Sequence, residues 1–131
     1  MFTPAEILEI KSLLIPQNKI VIITHYNPDG DAIGSSLGLK HYLQAKGLHA
    51  EVVVPNDFPK FLKWMPEAKK NIIAEYKRKL AFDIINKADV IFCLDFNSPS
   101  RIGILGEWLV KSKAKKILID HHQQPEQFDF V

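Results

Sequence analysis

At 131 residues, with 47% hydrophobic and 24% charged side chains, the chain suits one globular domain spanning residues 1–131. A net charge of +2 is too small to hold nucleic acid by bulk charge, and no apolar run approaches the roughly 18 residues a membrane helix needs. Met1-Phe2-Thr3-Pro4 has neither the basic start nor the apolar core of a secretory signal, and the single cysteine, Cys93, has no internal disulfide partner, so a cytoplasmic location is expected. Along the chain, Thr3 and Pro4 read as the cap and first position of a helix carrying Ile7, Ile10, Leu13 and Leu14, which Pro16 stops. Lys19 to Thr24 reads as a strand. Ile33, Leu37, Leu39, Tyr42 and Leu43 then form a helical stripe that ends at Gly47. Ala50 to Val54 is a second strand, Phe58 to Met65 a short helix, and Asn71 to Ala74 another short strand. Glu75 to Lys87 is helical, Val90 to Leu94 is a strand holding Cys93 as a small core residue, Ile102 to Lys111 is a helix, and Lys116 to Ile119 is a strand. Phe128 to Val131 reads as a strand or a docking tail. This alternation predicts an α/β fold: three α/β/α layers, a mainly parallel sheet and crossover helices.

Three of the apolar runs end on the same kinds of side chain. Ile20-Val21-Ile22-Ile23 leads to His25-Tyr26-Asn27-Pro28-Asp29-Gly30-Asp31, the 90–94 run ends on Asp95, and Lys116-Ile117-Leu118-Ile119 ends on Asp120-His121-His122. In an open parallel sheet the carboxyl ends of strands line the ligand crevice. Carboxylates and imidazoles converging there repel one another or lie poorly solvated unless a cation balances them, so the constellation reads as a metal site. In the first cluster Pro28 favours an extended Asn27, and Gly30 lets the backbone turn between the acids. Asp29 and Asp31 can then face two adjacent cations, with His25 on one of them. Such ligands suit manganese, and also iron, cobalt or zinc, better than calcium.

Each cluster also has a plainer reading. Asp29 and Asp31 can cap the helix opened by Ala32-Ile33-Gly34-Ser35-Ser36, whose amides can equally support a phosphate oxygen. Asp95 can cap the Ser98-Pro99 turn. Arg101 can meet a substrate phosphate or a surface carboxylate. Asp120 to His122 can be a polar loop. His41 and His49 read as surface residues.

Taken in order, His25-x-x-Pro28-Asp29-x-Asp31, Asp95 and Asp120-His121-His122 resemble the first three motifs of the DHH phosphoesterases, over about Lys19 to His122. The wording His-Tyr-Asn-Pro-Asp-Gly-Asp-Ala-Ile-Gly-Ser is most similar to the bacterial oligoribonuclease and phosphoadenosine-phosphate phosphatase branch. The resemblance implies two manganese ions, with Mg²⁺, Co²⁺ or Zn²⁺ as substitutes. It implies His25 and Asp29 on one metal, Asp31 and His121 on the other, and Asp95 bridging. His122 would orient the substrate phosphate and the attacking water, Asp120 would position its histidine neighbours, and Ser35 and Arg101 would meet substrate. The implied reaction is hydrolysis of phosphate esters by a hydroxide held between the two metals, about 3.5–4 Å apart. Short oligoribonucleotides, linear dinucleotides or phosphoadenosine phosphate are the implied substrates, in a protein that can act as a homodimer.

The family carries a fourth motif aspartate roughly fifty residues beyond the third, and a C-terminal substrate-binding domain. Both lie past Val131, so the chain is expected to be an N-terminal piece that is weak or inactive alone. The alternatives are a pyrophosphatase, exopolyphosphatase or RecJ-type exonuclease of the same family, or a non-catalytic nucleotide-binding module. In the catalytic reading Asp95→Ala removes both metals; in the module reading it leaves nucleotide binding untouched.

Overall fold

Apolar β-branched runs at Ile20–Ile23 (β1), Ala50–Val54 (β2), Val90–Leu94 (β4) and Lys115–Ile119 (β5), with the two-residue Ile72–Ile73 (β3), assemble into one five-stranded sheet. The computed structural model describes residues 2–96 and 98–119. Asp120, His121, His122 and the tail from Gln123 to Val131 lie outside the described residues, as does the strand or docking tail expected there. The strand order is β3-β2-β1-β4-β5 and every pairing is parallel. The helices are α1 (Pro4–Leu13), α2 (Gly30–Ala45), α3 (Arg78–Lys87) and α4 (Leu105–Lys111).

Strand alternation divides the core. Ile20, Ile22, Val52, Val54, Phe92 and Leu94 pack with Ile33, Leu37 and Leu43 of α2 and with the inner side of α1. Val21, Ile23, Val53, Ile91 and Cys93 face the other way, onto Ala81 and Ile85 of α3 and Leu105 and Leu109 of α4. With both faces covered, the central strands are apolar throughout. The expected three-layer α/β/α architecture is what forms. The sheet order reverses direction between β1 and β4, since β1 is followed outward by β2 and β4 by β5. That switch point opens a crevice at the carboxyl ends of the two strands.

Several details differ from the sequence reading. The α1 start is as read: Thr3 accepts from the Glu6 N–H and Glu6 returns a bond to the Thr3 N–H. On α2, Tyr42 is exposed and Lys40 is buried in its place, its ammonium 3.6 Å from Glu67. The expected Phe58 to Met65 helix is only a 3-10 turn at Lys60–Leu62, because Pro59 and Pro66 leave too few residues to repay helix nucleation. The helix expected from Ile102 is broken: a 3-10 turn covers Pro99–Ile102, Gly103 sits at φ +59, and α4 begins at Leu105. The strand expected from Lys116 begins one residue earlier, at the exposed Lys115; Lys116 is buried, and its ammonium donates to the carbonyls of Ser112 (2.8 Å) and Ala114 (3.3 Å).

Cys93 is fully buried in β4, and burial pushes its thiol far above the ordinary range despite the nearby Lys116 charge. A thiolate-directed reagent is therefore expected to leave the native protein unlabelled and to titrate one thiol per chain after denaturation. Rapid labelling of the native chain would show that β4 opens readily.

Candidate metal centre

Register explains why the two central ligands meet. Ile23 of β1 is level with Cys93 of β4. Two residues further on come His25 and Asp95, which the parallel pairing carries to the same height on adjacent strand ends. His25 Nε2 lies 3.2 Å from Asp95 Oδ2 and 3.8 Å from Asp29 Oδ1. One ligand atom from each of His25, Asp29 and Asp95 falls within 4.8 Å of the other two. His25 and Asp95 are mostly shielded, with 15% and 16% of their side-chain surface accessible, whereas Asp29 is 63% accessible and forms the open side.

The backbone around these residues is held in uncommon conformations. Asp95 has φ +61 and Asn27 φ +57, in the left-handed region where Asn and Asp are the least penalised non-glycine residues. The Asp95 N–H donates to the Ile119 carbonyl at 3.1 Å, which ties the end of β4 to the end of β5. Asn27 is clamped by Asn56, which follows β2: the Asn27 N–H donates to Asn56 Oδ1 and Asn56 Nδ2 donates to Asn27 Oδ1, both at 2.7 Å. The Tyr26 N–H donates to the Arg101 carbonyl at 2.8 Å. Two expectations are thereby corrected. Asn27 is not extended before Pro28, because the Asn56 clamp outweighs the proline's preference. Gly30 does not make the turn between the acids either; it is already the first residue of α2, and the sharp change of direction falls at Asn27.

The plainer reading of Asp29 holds together with the functional one. It is the N-cap of α2, with Oδ1 accepting the Ala32 N–H at 2.9 Å, and the cap orients it toward His25. The turn that follows Asp95 is capped by Ser98, which accepts from the Ser100 N–H at 3.3 Å.

The chemistry of the donor set fits a divalent cation. His25 Nδ1 is 2.8 Å from the Tyr26 carbonyl, and a carbonyl can only accept, so Nδ1 carries the proton. The other ring nitrogen, Nε2, faces Asp29 and Asp95, so a divalent cation placed among the three would meet one imidazole nitrogen and two carboxylates. A ring nitrogen fixed through its partner nitrogen is also how metal-ligating histidines are oriented. One imidazole and two carboxylates suit manganese, iron, cobalt or zinc.

The remaining candidates stand as follows. Asp31 lies exposed in the first turn of α2 and is not part of the three-residue cluster. The partner assigned to it by resemblance, His121, lies outside the described residues, as do Asp120 and His122. Ser35 is exposed on α2, and Arg101 is exposed at the end of its 3-10 turn, contributing its carbonyl to the Tyr26 bond. Sequence reasoning missed Asn56 and Asp57. Asp57 binds Lys63 at 2.9 Å and accepts from the Phe58 N–H at 2.8 Å and the Tyr76 hydroxyl at 3.1 Å. The Lys63 ammonium, aided by those two donors and opposed by partial burial, holds its carboxyl below the usual carboxylate range. The Pro-Asn-Asp after β2 was legible as a turn, but nothing in it announces a partner 29 residues upstream.

The family described as the DHH family, N-terminal domain, matches residues 19–130. A bifunctional oligoribonuclease and PAP phosphatase, NrnA, of Thermus thermophilus is 37% identical over 113 residues, covering 86% of this chain and 30% of that protein. The cyclic-di-AMP phosphodiesterase PdeA of Listeria monocytogenes is 26% identical over 129 residues, covering 91% of this chain and 19% of that protein. The crystal structure of an exopolyphosphatase-related protein from Bacteroides fragilis superposes with a TM-score of 0.91 at 45% identity, covering 95% of this chain and 36% of that one. The chain thus spans about a third or less of the length of these relatives.

Proposed function

Because the chain belongs to the DHH family, through its N-terminal domain over residues 19–130, we propose that it forms the metal-holding part of a phosphoesterase acting on small nucleotides. The observation that carries this reading is the convergence of His25, Asp29 and Asp95 at the switch point of the sheet. In this reading His25 and Asp29 hold one divalent cation, manganese by preference, Asp31 and His121 hold a second, and Asp95 serves both. When bound, the cations supply Lewis acidity to a water and charge balance to the phosphate oxygens.

The chain's own residues do the rest. The Tyr26 carbonyl keeps the proton of His25 on Nδ1, so the ring presents Nε2 throughout. The Asn27–Asn56 clamp and the Tyr26–Arg101 bond fix the loop, so the ligands need not be ordered at the moment of binding. His122 orients the substrate phosphate and the attacking water, Asp120 positions its histidine neighbours, and Ser35 and Arg101 supply further donors to substrate. Residues 1–131 act as one DHH domain in this reading. The protein works in the cytoplasm, where its nucleotides are; among the described residues no helix is long and apolar enough to cross a membrane.

The substrate class follows the relatives' names: an oligoribonuclease and PAP phosphatase, and a cyclic dinucleotide phosphodiesterase. Short oligoribonucleotides, linear dinucleotides and a bisphosphorylated adenosine are the candidates. Inorganic polyphosphate is the second reading, favoured by the exopolyphosphatase-related protein at 45% identity. The test is an assay with Mn²⁺ against a linear diadenosine dinucleotide, phosphoadenosine phosphate and tripolyphosphate in parallel. Release of nucleoside monophosphate or of phosphate from the adenosine is expected. Turnover of tripolyphosphate alone would favour the second reading, and a chain that binds no Mn²⁺ and turns over none of the three would overturn both.

A further inference from the structure

Among the described residues the two most exposed large apolar side chains belong to one short segment. Trp64 is 77% and Phe61 72% accessible, three positions apart in the segment that follows β2. Scattered exposed hydrophobics need no explanation, but two aromatic rings held out of the core in one short turn do. The turn is not loose. Phe58 and Leu62 are buried and root it in the α2 side of the core. Asp57 grips Lys63 and Tyr76, and Asn56 is hydrogen-bonded to Asn27 in the metal loop. Leu62 reaches the start of α2: its Cδ2 lies 4.0 Å from where a Cβ on Gly30, between Asp29 and Asp31, would stand. Exposed Lys60 and Lys69 flank the rings and join no ion pair among the described residues.

We infer that residues 58–64 form a base-recognition wall beside the metal centre, with Phe61 and Trp64 stacking on a nucleobase of the substrate and Lys60 meeting its phosphate. This deepens the proposed function and rests on it, since it selects base-bearing substrates over inorganic polyphosphate. The chemistry suits that occupant. Exposed aromatic rings in a turn that also carries lysines accept any base through its π-face, and the Asn56 bond to Asn27 ties the segment to the metal loop. A purely phosphate chain would use the lysines and leave the rings idle.

The chain has two tryptophans, so Trp108→Phe leaves Trp64 as the only indole reporter. That protein, with Mn²⁺ present, is titrated with a non-hydrolysable phosphonate analogue of a linear adenine dinucleotide and with the same backbone lacking bases. The expected result is quenching of Trp64 emission by the adenine analogue and none by the abasic one. In this same Trp108→Phe background, Phe61→Ala is expected to weaken the adenine analogue about tenfold. Phe61 is exposed, and phenylalanine at the half-buried position 108 keeps an aromatic ring against Phe82, so these substitutions do not threaten the fold. No quenching, or equal quenching by both compounds, overturns the wall. A shift of Trp64 emission with protein concentration alone, abolished by Phe61→Ala, would assign the patch to a second copy of the chain and also overturn it. Quenching by the adenine analogue in a chain that binds no Mn²⁺ would keep the wall and sink the phosphoesterase reading. Turnover of the dinucleotide without quenching would do the reverse.

Discussion

Asp95→Asn is expected to weaken Mn²⁺ binding by about a hundredfold or more while leaving the thermal midpoint of the metal-free protein nearly unchanged. Asparagine keeps the shape of the side chain and tolerates φ +61, so the bond from residue 95 to Ile119 survives. What it loses is the charge facing His25 Nε2 at 3.2 Å. Loss of groups that merely orient a metal ligand already costs about 10–100-fold, and a direct ligand should cost no less. Asp95→Ala should show the same loss of binding plus a stability cost of about 1–2 kcal/mol, because alanine at positive φ has no side-chain bond to offset the clash. Calorimetric titration of wild type and both variants reads the first effect, and thermal melts without metal read the second. If Asp95→Asn titrates like the wild type, the centre is not built on Asp95.

The largest expected effect on stability belongs to a residue with no polar side chain. A Cβ on Gly106 would stand 2.2 Å from the carbonyl oxygen of Pro99 and 2.9 Å from its carbonyl carbon. Both are backbone atoms, so no rotamer change relieves the overlap. Gly106→Ala must push the first turn of α4 away from the Pro99–Ile102 turn, and overpacking of this kind costs about 3 kcal/mol. For a chain of this size that is a fall in melting temperature of roughly 10–15 °C. The displacement would also reach the metal loop, because Arg101 in that turn accepts the Tyr26 N–H. Gly38→Ala is the control. Gly38 lies inside α2 with open space around it, and alanine there should stabilise by about 0.5–1 kcal/mol through helix propensity. Equal melting temperatures for wild type and Gly106→Ala would mean that the packing of α4 on the turn is looser than described.

The parts of the fold that the residues announced are those decided by local chemistry. β1 and β4 are buried on both faces, so they read as unbroken apolar runs, and the acidic or imidazole residue ending a run was visible at once. The Thr3 and Glu6 capping box was legible because its partners are three residues apart. What stayed hidden depends on partners far along the chain. The left-handed Asn27 needs Asn56, the buried Lys40 needs Glu67, and the break before α4 follows from Gly103, whose Cβ position faces Pro55 and the ring of Tyr26. Within the site, His25, Asp29 and Asp95 come together as their strand ends suggest. The arm formed by Asp120, His121 and His122 rests on the sequence alone.

The strand order has a consequence for how the protein is made. Of the five strands, the earliest made is the middle of the sheet, and the bond that seats its start runs from the Lys19 N–H to Asp89, 70 residues later. At synthesis rates of about 5–20 residues per second, that gap leaves β1 without one of its two neighbours for roughly 4–14 seconds. His25 and Asp29 emerge early, yet Asp95, which is to share their cation, is still unmade. The nascent chain therefore passes through an interval in which its stickiest strand is exposed and its metal loop is only half assembled.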